Sequence, residues 1–224
     1  MPKLFIVATP IGNLKDITIR ALHTLEEVDL ILCEDTRVTK KLLDYYNLKT
    51  PVESYHQHSN LRKIDYIKNL LKQGKNLALV SDSGTPGISD PGNKLVQMLT
   101  TSYQIPITVI PIPGSSAIAT IASISGFPMD KFVFFGFPPH KTKRKKFFKE
   151  VAEQKYPVIL YESPYRILKT LKELKEFGEF DIVMGRELTK MFETIYRGNI
   201  DEVINQLEKD KIKGEFTMVI NKNL

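Results

Sequence analysis

Three loops in this sequence combine residue types that suit a bound small molecule as well as they suit a chain reversal. The first, Thr9-Pro10-Ile11-Gly12-Asn13-Leu14, follows the apolar run 4–8. It lacks the GxGxxG spacing of a dinucleotide site, and standing alone it reads as a tight strand-to-helix turn. The second runs from Ser81 to Gly92 and places Gly84, Gly87 and Gly92, Pro86 and Pro91, and Asp82 and Asp90 within twelve positions. Glycine lets backbone approach a ligand closely, proline stiffens the turn, and the carboxylates add fixed negative charge. Gly87 and Gly92 have the four-residue gap of a P-loop, but Asn93-Lys94 follows where that motif needs Lys-Ser/Thr. An acidic, backbone-rich loop suits a cationic or hydrogen-bonding ligand better than a polyphosphate. In the third, Pro111-Ile112-Pro113-Gly114-Ser115-Ser116-Ala117, small residues at a helix start offer amides and room for a ligand edge. Close packing would explain that loop equally well.

Charged residues cluster elsewhere in ways that invite two readings. Lys141, Lys143, Arg144, Lys145, Lys146 and Lys149 form the densest basic stretch, and Phe147-Phe148 buries one side of the same helix. Such a cluster can neutralise phosphates, or it can be an ordinary solvated face. His56 and His58 alternate on an extended segment and so point the same way, with Asn60 continuing that face. They fit plain hydrogen bonding or a place in a binding pocket. Neither these nor His23 and His140 has a cysteine or HExxH context, so no metal site is expected.

The loops need strands to hold them. Apolar runs at 4–8, 30–33, 77–80 and 107–110 are continuous rather than alternating, the pattern of strands covered on both faces. Segments of helical period lie between them. One begins near Asp16, a plausible N-cap, and carries Ile19, Leu22 and Leu25 inward. Another runs from about Asn60 to Lys72 with Ile64, Ile67, Leu70 and Leu71 on one face, and Gly74 stops it. The second half repeats the alternation, with strands near 132–135, 158–161, 181–184, 193–196 and 216–220 and helices near 143–153, 164–176 and 201–208. The expected fold class is therefore α/β, with mostly parallel sheets. The expected domains are 1–114, which carries the loops, and 115–224, with a ligand cleft between them.

Composition sets outer bounds. Net charge is +6, from 32 Lys and Arg against 26 Asp and Glu, which fits a nucleic-acid partner and many other soluble enzymes alike. The single cysteine, Cys33, excludes an intrachain disulfide, and its apolar neighbours predict a buried thiol. No run reaches signal-peptide or membrane-spanning form, so no membrane partner and a cytoplasmic location are expected.

Taken in order along the chain, the motifs resemble the tetrapyrrole methylase superfamily. They are closest to its ribosomal RNA branch, which 2′-O-methylates a cytidine in the decoding centre of 16S rRNA. The residues are Val7 to Leu14, Glu34-Asp35-Thr36-Arg37, Tyr55-His56-Gln57-His58, Ser81 to Gly92, Pro113 to Ala117, Gly136-Phe137-Pro138-Pro139, Tyr161-Glu162-Ser163-Pro164-Tyr165-Arg166 and Arg186-Glu187-Leu188-Thr189-Lys190. Any one is weak, but eight in order span nearly the whole chain.

The resemblance implies two α/β domains of the tetrapyrrole methylase type, S-adenosyl-L-methionine as cofactor, a 16S rRNA or small-subunit partner, and a homodimer. It assigns the cofactor to Thr9, Pro10, Ile11, Gly12, Asn13, Leu14, Asp82, Gly84, Thr85, Pro86, Ile88, Ser115, Ser116 and Ala117. Methyl transfer to a ribose hydroxyl needs in-line alignment and a route for the proton. Glu162, Glu187 and Lys190 are the candidate bases. RNA contacts are expected from Arg37, Arg166 and Arg186 with His56, His58 and Lys141 to Lys146. For any single one of Glu162, Glu187, Lys190, Arg37, Arg166 and Arg186, an interdomain salt-bridge network is the alternative.

Two features depart from the pattern. Longer members carry a helical extension that this sequence lacks, and Ser83 and Gly87 replace the usual Ala and Leu. A methylase of a porphyrinoid or a protein side chain, or a non-catalytic RNA-binding relative, stands as the rival reading.

Overall fold

A computed structural model describes residues 1–56, 61–101 and 106–222, in two compact units, Met1–Ser116 and Ala117–Leu224. The first unit is built on β1 (Lys3–Val7), β2 (Leu30–Cys33), β3 (Val52–Ser54), β4 (Leu77–Leu79) and β5 (Thr108–Ile112). All of its ladders are parallel, in the order β3-β2-β4-β1-β5. Side chains alternate across a strand, so each apolar run feeds two cores. Val7, Ile31, Cys33 and Ala78 pack beneath α1 (Ile19–Glu27) and α2 (Thr36–Tyr45). Leu4, Leu32, Leu77 and Leu79 pack beneath α3 (Leu61–Lys72) and α4 (Asn93–Thr101). Two-sided cover is why these strands read as unbroken hydrophobic runs.

Helix ends show where local chemistry sets the chain's course. Asp16 does not cap α1. It closes a single 3₁₀ turn (Leu14–Asp16), and the Thr18 hydroxyl accepts from the Ala21 amide at 3.0 Å as the true N-cap. Leu25 is buried as expected, but Ile19 faces outward, 73% exposed, and Ala21 and Thr24 take the remaining buried positions. α3 follows expectation more closely, with Ile64, Ile67 and Leu71 buried. Gly74, at φ +85°, then lets the Lys75 amide reach the Leu70 carbonyl and end the helix.

The second unit contains α5 (Ala117–Ser125), β6 (Val133–Gly136), α6 (Arg144–Ala152), β7 (Val158–Glu162), α7 (Ile167–Lys175), β8 (Phe180–Arg186), β9 (Thr194–Asn199), α8 (Ile200–Glu208) and β10 (Phe216–Lys222). Its sheet runs β6-β7-β10-β8-β9 and is mixed: β6 and β7 are parallel, while β10 is antiparallel to both neighbours and β9 to β8. The chain's last strand is therefore the middle of the sheet. One core, including Phe148, Leu160, Leu171, Met184, Val203 and Met218, joins the sheet to α6, α7 and α8. The geometry brings the turns after β6, β7 and β8 to the same end as the entry to β10. No described helix is long and apolar enough to cross a membrane.

Candidate functional site

In the first unit the three candidate loops leave the carboxyl ends of β1, β4 and β5, the edge where open α/β sheets place ligands. They meet. Thr9 and Gly84 form an isolated antiparallel bridge, with Thr9 N to Gly84 O at 2.9 Å and Gly84 N to Thr9 O at 3.1 Å. The buried Thr9 hydroxyl donates to the Ser81 carbonyl at 3.1 Å. A Cβ added to Gly84 would lie 3.3 Å from Ile11 Cγ2 and 3.7 Å from the Ser115 carbonyl, and Gly84 itself sits at φ +76°. The Thr85 hydroxyl donates to the Ser115 carbonyl at 3.3 Å, and the Ser115 hydroxyl to the Asp16 carbonyl at 3.1 Å. Gly12, Asn13, Asp82, Ser83, Ile88 and Gly114 are exposed around this junction, while Pro10, Ile11 and Pro86 are buried beneath it. Leu14 accepts the Tyr46 hydroxyl at its carbonyl, 2.8 Å away. Ser116 closes the first unit, and Ala117 opens α5 in the second.

Negative charge borders the junction on the β2 side. Asp82 Oδ1 accepts the Asp35 amide at 2.9 Å, linking the ends of β4 and β2. Asp35 caps α2 through the Arg37 amide and also grips the Arg37 guanidinium at 2.6 Å, which holds its carboxyl at about 2. Arg37 is nonetheless largely exposed. Burial, followed by the charge of Asp82, pushes the Glu34 carboxyl up, and His56 opposes that shift. His56 is exposed, whereas His58 and Asn60 lie outside the described residues. Cys33 is a buried free thiol whose pKa is raised by burial.

The second unit turns several expected functional groups inward. Glu162 is 1% exposed. Its carboxylate accepts the Ser163 amide at 2.7 Å, the Thr170 hydroxyl at 2.6 Å and the Arg166 guanidinium at 2.7 Å. Arg166 also donates to the Pro138 carbonyl at 3.0 Å. Arg144, expected to meet phosphate, is 6% exposed and donates to Thr170 Oγ1 (2.8 Å), Glu173 (2.6 Å) and the Pro139 carbonyl (2.6 Å). That expectation is corrected: a guanidinium spread over three internal acceptors is a strut. Its alkyl stem and the following turn could not reveal this in advance. Thr170 was overlooked, although a polar residue on the Ile167–Leu171–Leu174 stripe was a readable signal.

At the β8 end, Glu187 and Thr189 take positive φ, +52° and +67°. The hairpin they shape is clamped by Lys190, whose ammonium lies 2.9 Å from both Glu187 and Glu215. Burial would lower the Lys190 pKa, but the carboxylates of Glu215 and Glu187 outweigh it and raise it, so Lys190 is a cation and not a free base. Burial likewise pushes Glu187 up, yet the Lys190 hydrogen bond and the Glu215 amide bring it below its ordinary value. Arg186 donates to the Lys211 carbonyl and the Thr194 hydroxyl and pairs with Asp210, again inward. Lys141, Lys143, Lys145 and Lys146 are all exposed.

This architecture also occurs in a solved cobalamin biosynthetic enzyme, cobalt precorrin-4 methyltransferase (TM-score 0.71, 19% identity, 98% of this chain and 94% of that one). At that identity the likeness is one of fold. Residues 3–204 match the tetrapyrrole (corrin/porphyrin) methylases, and the chain belongs to that family. It is 45% identical to ribosomal RNA small subunit methyltransferase I of Thermotoga maritima, over 99% of each chain. It is 47% identical to the protein of the same name in Mycoplasmopsis pulmonis, over 98% of this chain and 97% of that one. Within the family it groups with these two. Both relatives are matched over nearly their own full length.

Proposed function

We propose that this chain transfers a methyl group from S-adenosylmethionine to the 2′-hydroxyl of a cytidine in the decoding centre of 16S ribosomal RNA, acting in the cytoplasm as a homodimer. The observation that carries the reading is the junction of the β1, β4 and β5 loops through Thr9, Gly84 and Ser115. The names of the two relatives supply the substrate class. The residues present fit the donor. A sulfonium cation with ribose and amino-acid ends calls for carbonyls, hydroxyls, close backbone and a nearby carboxylate rather than a lysine-lined phosphate cradle. Gly12, Asn13, Asp82, Thr85 and Ser115 offer those groups.

Bound S-adenosylmethionine supplies an electrophilic methyl group. The chain's part is to hold the acceptor oxygen in line and to give its proton somewhere to go, the latter worth roughly 10²–10⁴-fold. Of the three candidate bases, Glu187 is the one that is both anionic and partly exposed, so it alone can reach a substrate hydroxyl as a base. Its bond to Lys190 makes it a weak proton acceptor until that bond loosens. Glu162 and Lys190 act by holding neighbours in place. The exposed Lys141, Lys143, Lys145 and Lys146, with Arg37 and His56, would meet the RNA.

Transfer of isotope-labelled methyl to small ribosomal subunits lacking the modification tests the reading. Label should appear in a cytidine ribose and be absent when modified subunits are used. Methylation of a porphyrinoid or a protein in place of RNA would transfer the assignment to another substrate of the family. Donor binding without any transfer would make the chain a non-catalytic relative.

A further inference from the structure

Two aromatic side chains of the second unit stand in water on loops that are otherwise firmly tied down. Tyr165, in the turn after β7, is 96% exposed, and Phe137, in the loop after the neighbouring β6, is 52% exposed. Aromatic rings gain much from burial, so this placement forgoes a large stabilisation. The loops are not slack. Arg166 fastens its own turn to the Ser163 hydroxyl at 3.2 Å and reaches across to the Pro138 carbonyl at 3.0 Å. Arg144 holds the next carbonyl, Pro139, from below. Glu162 and Thr170 anchor both arginines inside the unit. Phe137 also rests against Tyr161, centroids 5.4 Å apart.

We propose that Tyr165 and Phe137 form a stacking platform for unpaired bases of the RNA substrate, with Lys141 and Lys143 holding the adjoining phosphates. The inference rests on the RNA reading above and adds how the strand is gripped. Every nucleobase has a π-face, so aromatic stacking serves single-stranded RNA without demanding a sequence. The occupant follows from charge: Lys141 and Lys143 are exposed on the Phe137 loop itself, which attracts a polyanion and would repel a second copy of this basic patch. Another exposed apolar pair, Met191 and Phe192, lies on the connection between β8 and β9, a different loop from the one that carries Lys141 and Lys143, and is not part of the platform.

The test compares a single-stranded pyrimidine RNA of about ten nucleotides with an abasic ribose-phosphate strand of equal length, binding each to the full chain. Wild type should prefer the strand with bases. Tyr165→Ala should weaken that strand roughly 5- to 100-fold and leave the abasic one unchanged, while Tyr165→Phe keeps the preference. A paired Lys141→Glu and Lys143→Glu variant should weaken both. Equal binding of the two strands by wild type, or an unaltered preference in Tyr165→Ala, overturns the platform even if small subunits are still methylated. If Tyr165→Ala instead lowers the sedimenting mass, the surface joins copies of the chain and the proposal is wrong. Failure of wild type both to bind either strand and to methylate small subunits would remove the RNA reading beneath it.

Discussion

Glu162 commits both carboxylate oxygens to its own unit, and that separates support from chemistry. Replacing it by Gln leaves the Arg166 guanidinium with a neutral partner in a buried setting, a change that typically costs about 3–5 kcal/mol when one member of a buried pair is lost. We expect Glu162→Gln to lower the unfolding free energy by several kcal/mol, measured by urea denaturation, with activity falling in step. Unchanged denaturation with a collapsed kcat would instead return Glu162 to the reacting atoms. The same residues show how far single positions could be read. Gly84 stood out because a turn that rich in glycine needs a reason, and its left-handed φ beneath Ile11 provides one. Arg144 and Arg166 did not declare themselves. An arginine in a basic run, such as Arg144, looks the same whether it faces phosphate or internal acceptors, since Thr170 and Glu173 lie on a helix far along the chain. The Pro138 carbonyl that Arg166 meets is equally remote.

Among the elements, the hairpin between β8 and β9 has its own electrostatic signature. Glu187 titrates below its ordinary 4.5 in the folded chain, so the stability it adds is complete above that value and is lost as pH falls through the lower folded pKa. Lys190 titrates above its ordinary 10.5, so its contribution is complete below that value and is lost as pH rises through the higher one. The stability difference between wild type and Lys190→Met should therefore be flat around neutrality and shrink at both extremes, as urea midpoints across pH would show. A difference that grows toward either extreme would contradict the clamp.

Strands of the first unit were legible because four unbroken apolar runs sit between helical stretches. β3 was not, since Val52-Glu53-Ser54 on a sheet edge offers one apolar residue. α2 was hidden for a related reason, because it buries only Thr39, Leu42 and Leu43. The antiparallel placement of β10 lay beyond reach altogether: an apolar run records that both faces are covered and says nothing of direction.

Over the whole molecule the net charge of +6 was ambiguous until its placement was known, with Lys141, Lys143, Lys145 and Lys146 all facing water. If these four contact phosphates, reversing them to glutamate should weaken RNA binding and reduce the slope of log affinity against log salt by up to about 3. Binding that keeps its salt dependence would show the cluster to be an ordinary solvated face.

The middle position of β10 has a temporal consequence. During synthesis the first unit has all five of its strands once residue 112 is free, and it can close around its two cores. The second unit holds β6 and β7 on one side and β8 and β9 on the other, with nothing to hydrogen-bond between them, until residues 216–222 emerge. A nascent chain halted just short of that point would carry one finished half and one divided half, its apolar interior open to chaperones and proteases.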